Sequence, residues 1–424
     1  MTATSPVAKP SAFAALSYSS FRSFTLAGML WMMADNIEHV ISYWVIFEQF
    51  ETPLLGGYAV ISHWAPFLLG GMYMGALADR YDCRKLFLIS MAMFISVSLG
   101  WAYIFWTHTA EVWHAVVLLT LHGLAGAIYA PASQIVIHDI VGSGHLTSAV
   151  RLTATSRQLG LLLGPALGGL ALIAFGPALG IAINALIYLP TVWWSLTQPY
   201  TGHGSDDPAN PPVRRPLGWG IGLAIDSLRE ASANRTIVGM IALGGLTSLL
   251  VGNAYQAQMP EYAKGFLGED KGLVYTALLL ASAFGAIIGG LVLETLPSLS
   301  PTPVKATGLA VLWCCSILVF ALSSNYAVAL AAQFATGMLS LGFVSMAQAL
   351  VQLEAPHESR GRIIGVFNMA LNGMRIGSGV TVGFMGAVVG IHTSLAVSAA
   401  VLLVLLIPLA MYVRRPAAVG AAVV

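Results

Sequence analysis

Trp31, Asp35, Glu38, His39 and Ser42 fall at i, i+4, i+7, i+8 and i+11 within the apolar run 24–47, so one helix face carries two carboxylates and an imidazole. Ionised carboxylates are costly in hydrocarbon, and two side by side are costlier, which is the chemistry of groups that take up and release a proton. Arg375, midway along the run 363–389, is the strong cation placed at mid-membrane, with Asn372 and Asn368 one and two turns before it. Asp35, Glu38 and Arg375 are therefore the proton-coupling candidates. The competing reading is a permanent pair between Arg375 and one of the acids that only holds helices together. Asp35 and His39 are also divalent-metal ligand types at converging spacing, although one helix rarely completes a metal site.

The elements that position these groups are membrane helices. Of 424 residues, 57% are hydrophobic and 9% charged, and the mean hydropathy is +0.79, against about 25% charged in an ordinary soluble domain. This composition excludes a soluble enzyme, a disordered chain, collagen and a coiled coil. A net charge of +1 supplies no basic field for nucleic acid. Cys83, Cys314 and Cys315 form neither a disulfide framework nor a zinc pattern.

A spanning helix needs roughly 20 apolar residues. Twelve such runs can be placed, at 24–47, 55–78, 86–106, 111–138, 149–174, 178–197, 236–259, 273–293, 305–323, 326–351, 363–389 and 392–413. The polar stretch QPYTGHGSDDPANPPVRRP at 198–216 divides them into two sets of six, and Leu217 to Glu230 reads as an amphipathic helix on the membrane surface. The expected organisation is a six-helix bundle at 1–197, a cytoplasmic linker at 198–235 and a second six-helix bundle at 236–424. No short apolar leader with a small-residue cleavage site precedes the first run. The loops on the N-terminal side collect most of the arginines, the others only Lys264 and Lys271, so both termini are expected in the cytoplasm. A weak repeat supports two similar halves: an acid, a short turn, an arginine and a glycine-bearing helix occur at Asp139 to Arg151 and again at Glu354 to Arg362.

Between the second and third runs stand Gly75, Asp79, Arg80, Arg84 and Lys85, in the order Gly-Ala-Leu-Ala-Asp-Arg-Tyr-Asp-Cys-Arg-Lys. This segment resembles the loop signature of the major facilitator superfamily, departing from it at Asp82-Cys83, where that family more often has glycine. The glycine is expected to let two helices meet, and the cations to bind Asp79 or anionic lipid. Gly164, Pro165, Gly168 and Gly169 resemble a G-P-x-x-G-G segment of exporters in that superfamily. With APASQ at 130–134 and ESRGRIIGVFNM at 358–369, they are similar to its bacterial drug and siderophore exporter branch. The stretch Leu118 to Gly123 lacks the arginine that the drug/proton antiporters carry there.

The resemblance implies an all-α membrane protein of twelve helices in two pseudo-symmetric bundles that rock about a midplane site. It implies a cavity lined by spans one, four, seven and ten. Polar and aromatic residues there are Trp31, His39, Tyr129, Gln134, Asn253, Tyr255, Gln256 and Gln348, to which Asn368 and Asn372 are added as substrate-binding candidates. The acids of span one would favour a cationic cargo. His63 and His122 read as packing histidines, and Arg157 as a partner of Asp139 or of lipid. The expected activity is proton-coupled export of an amphipathic drug, siderophore or metabolite from the bacterial inner membrane by a monomer. Neither a resident cofactor nor a metal is expected, and the partners are the small molecule and the lipid bilayer. The alternatives are an iron-type divalent metal exporter using Asp35 and His39, an importer or symporter on the same fold, and a receptor or lipid scramblase that carries no solute. The nucleotide-loop and hydrolase motifs of ATP-driven pumps and enzymes are absent from the sequence.

Overall fold

The computed structural model describes residues 13–203, 229–266, 271–295, 301–356 and 360–414. Among them the regular structure is helical throughout, and eight stretches are long and apolar enough to cross a membrane. The helix order is consistent with twelve passages. The linker core and the expected amphipathic helix, apart from its last residues, lie outside the described residues.

The first half runs α1 (Ser19–Phe50), α2 (Pro53–Ala78), α3 (Cys83–Thr107), α4 (Val112–Ile187) and α5 (Leu189–Thr197). Short polar residues start these helices: the Thr52 side chain accepts from the Leu54 N–H with Pro53 in the first turn, and Asp82 accepts from the Arg84 N–H. Between 111 and 197 the backbone leaves the helical conformation at Gly142 (φ 67°) and Gly176 (φ 72°), which divides α4 into three stretches close to the three runs the sequence suggested. Both bends use a backbone region that only glycine enters freely.

The second half runs α6 (Arg235–Leu250), α7 (Ala254–Ala257), α8 (Met259–Gly265), α9 (Lys271–Thr295), α10 (Pro303–Leu322), α11 (Tyr326–Glu354), α12 (Arg360–Asn368), α13 (Arg375–Ser378), α14 (Met385–Val389) and α15 (Ile391–Arg414). The expected seventh span is broken at Val251–Asn253. The eleventh is interrupted by two π-helical turns, Met369–Gly373 and Gly379–Phe384, on either side of Arg375. Turns of that kind insert a residue into the helix and are frequent at functional sites.

Glycines set the close helix approaches, where tight packing replaces the hydrophobic effect as the associating force in lipid. A Cβ on Gly164 would lie 2.5 Å from Asn36 Cβ, and one on Gly168 would lie 3.0 Å from Val40 Cβ, so this face of α4 packs on α1. Across the seam between the halves, a Cβ on Gly169 would lie 2.6 Å from Thr276, and one on Gly57 would lie 2.8 Å from the Gly379 carbonyl oxygen. The α2 end of that seam is also closed by Gln258 donating to the Pro53 carbonyl at 3.1 Å and by a Lys264–Glu51 pair at 2.6 Å. The halves are thus sealed at the end that carries the α1–α2 turn.

Gly75 does not follow this pattern. Among the described residues, a Cβ there would meet no atom within 4 Å. Within the cation cluster, Arg84 pairs with Asp82 at 2.7 Å, while the Asp79 N–H donates to the Gly75 carbonyl at the end of α2. Arg84 also donates to the Gln198 carbonyl, and the Cys83 N–H donates to that of Thr201. The residues that depart from the family signature thus cap α3 and tie its start to the segment after α5. Partial burial alone would raise the Asp82 carboxyl pKa, but hydrogen bonds and charge from Arg84 outweigh it and hold the group below its ordinary value.

Candidate transport site

α1, α2, α3 and α4 converge on one buried polar cluster. Asp35 and Glu38, at 6% and 2% exposure, lie on the inward face of α1. His122 of α4 sits between them, with Nε2 2.9 Å from Asp35 Oδ1 and Nδ1 2.7 Å from Glu38 Oε1. The Ser98 hydroxyl of α3 donates to Glu38 Oε2. His39 Nδ1 stands 3.7 Å from Asp35 Oδ2, and His63 of α2 completes the group, its ring centroid 4.8 Å from that of His39. The approach that allows this is built on Gly123, where any side chain would collide with the Ser62 carbonyl oxygen. Isolated ions would not be tolerated at this depth; each carboxylate here has an imidazole or hydroxyl partner.

The expected partner of the acids, Arg375, is elsewhere. Its guanidinium lies 4.7 Å from the Trp64 ring centroid, and its Nε is buried without a hydrogen-bond partner. Among the described residues no carboxylate pairs with it, so the permanent Asp35–Arg375 or Glu38–Arg375 bridge is absent and His122 fills that role. Arg157 likewise departs from expectation. It lies 5.8 Å from the Trp31 ring centroid rather than against Asp139, whose carboxylate accepts from the Gly202 N–H. Trp31 in turn stacks on Tyr129 at 4.1 Å. Two half-buried arginines thus stand on aromatic faces, a favourable cation–π arrangement that leaves their N–H groups free for a ligand.

The remaining cavity candidates divide. Tyr255 is buried, and Asn253, Gln256, Gln348 and Asn372 are half-buried. Gln134 and Asn368 are exposed, and the π turn 369–373 shifts the register between Asn368 and Arg375, so the expected shared face is not kept. The central corrections concern His63, His122 and Arg157. Each comes from a different helix from Asp35, so periodicity within one run could not join them. The available signal was three histidines in otherwise apolar runs, one of them followed directly by Gly123.

A nearly all-helical chain with paired acids at mid-membrane and a glycine-lined seam between its halves is built as a multi-pass membrane carrier. It belongs to the Major Facilitator Superfamily, whose sequence profile matches residues 12–378. The enterobactin exporter EntS of Shigella boydii serotype 18 is 25% identical over 317 residues, 70% of this chain and 69% of its own. A Na(+), Li(+), K(+)/H(+) antiporter of Planococcus maritimus is 26% identical over 147 residues, 32% of this chain and 33% of its own. Two further curated relatives are matched over 32% and 24% of their own length. In fold, the chain is similar to a bacterial homolog of the human lysosomal transporter Spinster, in an inward-facing and unoccupied conformation. The TM-score is 0.68 at 14% identity, covering 93% of this chain and 95% of that one.

Proposed function

We propose that the protein is a secondary transporter of the bacterial inner membrane, with both termini in the cytoplasm. In this reading a monomer exports an amphipathic organic anion in exchange for protons by alternating access. The observation that carries the reading is the division of charge at the site. Asp35 and Glu38 are already matched by His122 and Ser98, whereas Arg157 and Arg375 stand on Trp31 and Trp64 without a carboxylate partner. The unmet charge is positive, which favours a cargo bearing carboxylate or similar oxygens beside an apolar body and revises the cationic cargo suggested by the acids alone. The similarity to an enterobactin exporter supports export of a siderophore-like molecule, and the matched antiporter supports protons as the coupling ion. The hydrogen-bonded Asp35–His122–Glu38 chain is the proposed proton carrier.

Proteoliposomes under an imposed pH gradient test this. Wild-type protein should drive an aromatic carboxylate against its own gradient. Asp35→Asn should lose that drive while still binding the compound. Full gradient-driven transport by Asp35→Asn would overturn the coupling role, and flux indifferent to the gradient would overturn secondary active transport.

A further inference from the structure

We infer that Asp35, His39, His63 and His122 form a binding site for one divalent transition-metal ion in the middle of the first half of the molecule. The inference rests on donor geometry and goes beyond the transport reading, which requires no metal.

One ligand atom from each of the four side chains lies within 4.8 Å of all the others. Around a tetrahedral ion with bonds of about 2.0–2.1 Å, neighbouring donors sit roughly 3.4 Å apart. The Asp35 carboxylate already reaches two of the rings at about that separation, through Oδ1 to His122 at 2.9 Å and through Oδ2 to His39 at 3.7 Å. Turning the imidazoles on their χ angles would close the rest. The donors come from α1, α2 and α4, so the site does not depend on the single helix whose Asp35–His39 pair was legible in the sequence.

The outer contacts have the form that metal sites require. A ligating histidine commonly gives its second nitrogen to a carboxylate, which fixes the ring and its tautomer. His122 does this through Nδ1 to Glu38, itself held by the Ser98 hydroxyl, and that leaves Nε2 directed at Asp35. With His122 neutral and the ion in place of its proton, Asp35 at the ion and Glu38 behind it match the two positive charges of a dication, which a buried site needs.

His63 supplies the independent observation. It is 9% exposed and its Nδ1 is buried without a hydrogen-bond partner, within a group of rings spaced 4.8 Å from His39 and 5.5 Å from His122. A buried nitrogen left unpaired is costly, and a metal bond would satisfy it. If ring packing were the only role, phenylalanine would fill the volume without that cost. Three imidazoles with one carboxylate favour zinc, cobalt, nickel or copper over magnesium or calcium, which take oxygen ligands. His39, at 15% side-chain exposure, is the most accessible of the four and marks the way in.

The test is a titration of chelator-stripped, full-length protein with Co2+, read by its visible ligand-field absorption, followed by displacement with Zn2+. Wild type should take up one ion per chain, with bands of a four-coordinate nitrogen-rich site, and its thermal midpoint should rise with the metal. Uptake should weaken at least about tenfold in His63→Gln and His39→Ala, and about 10–100-fold in Glu38→Gln, which acts behind the ligand. His392→Ala, whose ring contacts the Ala321 carbonyl in the second half, should bind normally. Thermal midpoints measured without metal confirm that each variant is folded. Absence of saturable uptake by wild type, or unchanged affinity in both His63→Gln and His39→Ala, would overturn the site. Neither result depends on a transport assay, so metal binding and anion export stand or fall separately.

Discussion

The two halves bury different kinds of polar group at their centres. At the centre of the first half, Asp35, Glu38, Ser98 and His122 form one connected network. At a comparable depth in the second half, Gln333 and Thr336, both fully buried, leave their side-chain polar atoms without partners, and the Trp313 Nε1 does the same. Ionisable groups must be satisfied at this depth, whereas a neutral amide or hydroxyl can remain at a smaller cost. The first half is therefore where charge is handled. The second half contributes a mostly apolar scaffold, the Arg375 guanidinium over Trp64 of α2 and, at its own start, Arg235 over Tyr412.

Removing the hinge of the network should give the largest effect. His122→Leu leaves two buried carboxylates without their shared partner, and loss of one member of a buried ionic group costs about 3–5 kcal/mol. The thermal midpoint of the purified protein should fall sharply. An unchanged midpoint would mean that the acids find other partners and that the contrast between the halves is false.

The seam between the halves comes next. Gly57→Ala places a Cβ 2.8 Å from the Gly379 oxygen and 3.0 Å from Gly383 Cα, backbone atoms that cannot swing aside. Overpacking of this kind costs about 1–3 kcal/mol, directed against the state that is sealed at the α1–α2 turn. A reporter thiol introduced by Ala257→Cys, buried beside the seal, should then react with a membrane-impermeant thiol reagent about tenfold faster, since about 1.4 kcal/mol corresponds to a factor of ten. An unaltered rate would show that the glycine contact does not hold that end closed.

In the second half the sign should reverse. Gln333→Leu removes an amide that bonds to nothing, so stability should be unchanged or rise by about 1 kcal/mol, read as a higher thermal midpoint. The smallest effect belongs to the loop pair. Asp82→Asn should cost less than about 1 kcal/mol because the Asp82–Arg84 pair is partly solvated. The folded carboxyl lies below its ordinary value of 3.8, so its contribution is full above that pH and fades as the pH falls through it toward the folded value. Wild type and variant should therefore converge once the pH has fallen through the folded value, in melts recorded across pH.

Much of the architecture was legible because hydropathy and length constrain membrane helices strongly. Period and spacing also gave the shared face of Asp35, Glu38 and His39. Features that join separate runs were not legible. His63 and His122 meet that face only because Gly123 lets α4 touch the α2 backbone. Arg157 is drawn in by the Trp31–Tyr129 stack, a contact that spacing within one run cannot reveal. The π turns around Arg375 broke the helical register that had aligned Asn368 with it. Gly142 and Gly176, by contrast, break α4 near the places where the sequence separates its runs, at a positive φ that glycine enters freely.

The most direct measurement is competition for transport by a charge series of one aromatic scaffold, bearing a carboxylate, a neutral amide or an ammonium group, in proteoliposomes containing wild type, Arg375→Gln or Arg157→Gln. If the acids are internally matched and the arginines meet the cargo, the carboxylate should compete best with wild type, by about tenfold over the amide, as expected for a charge-assisted contact worth about 1.5 kcal/mol. That preference should shrink in each arginine variant. Preference for the ammonium compound, retained in both variants, would contradict the account.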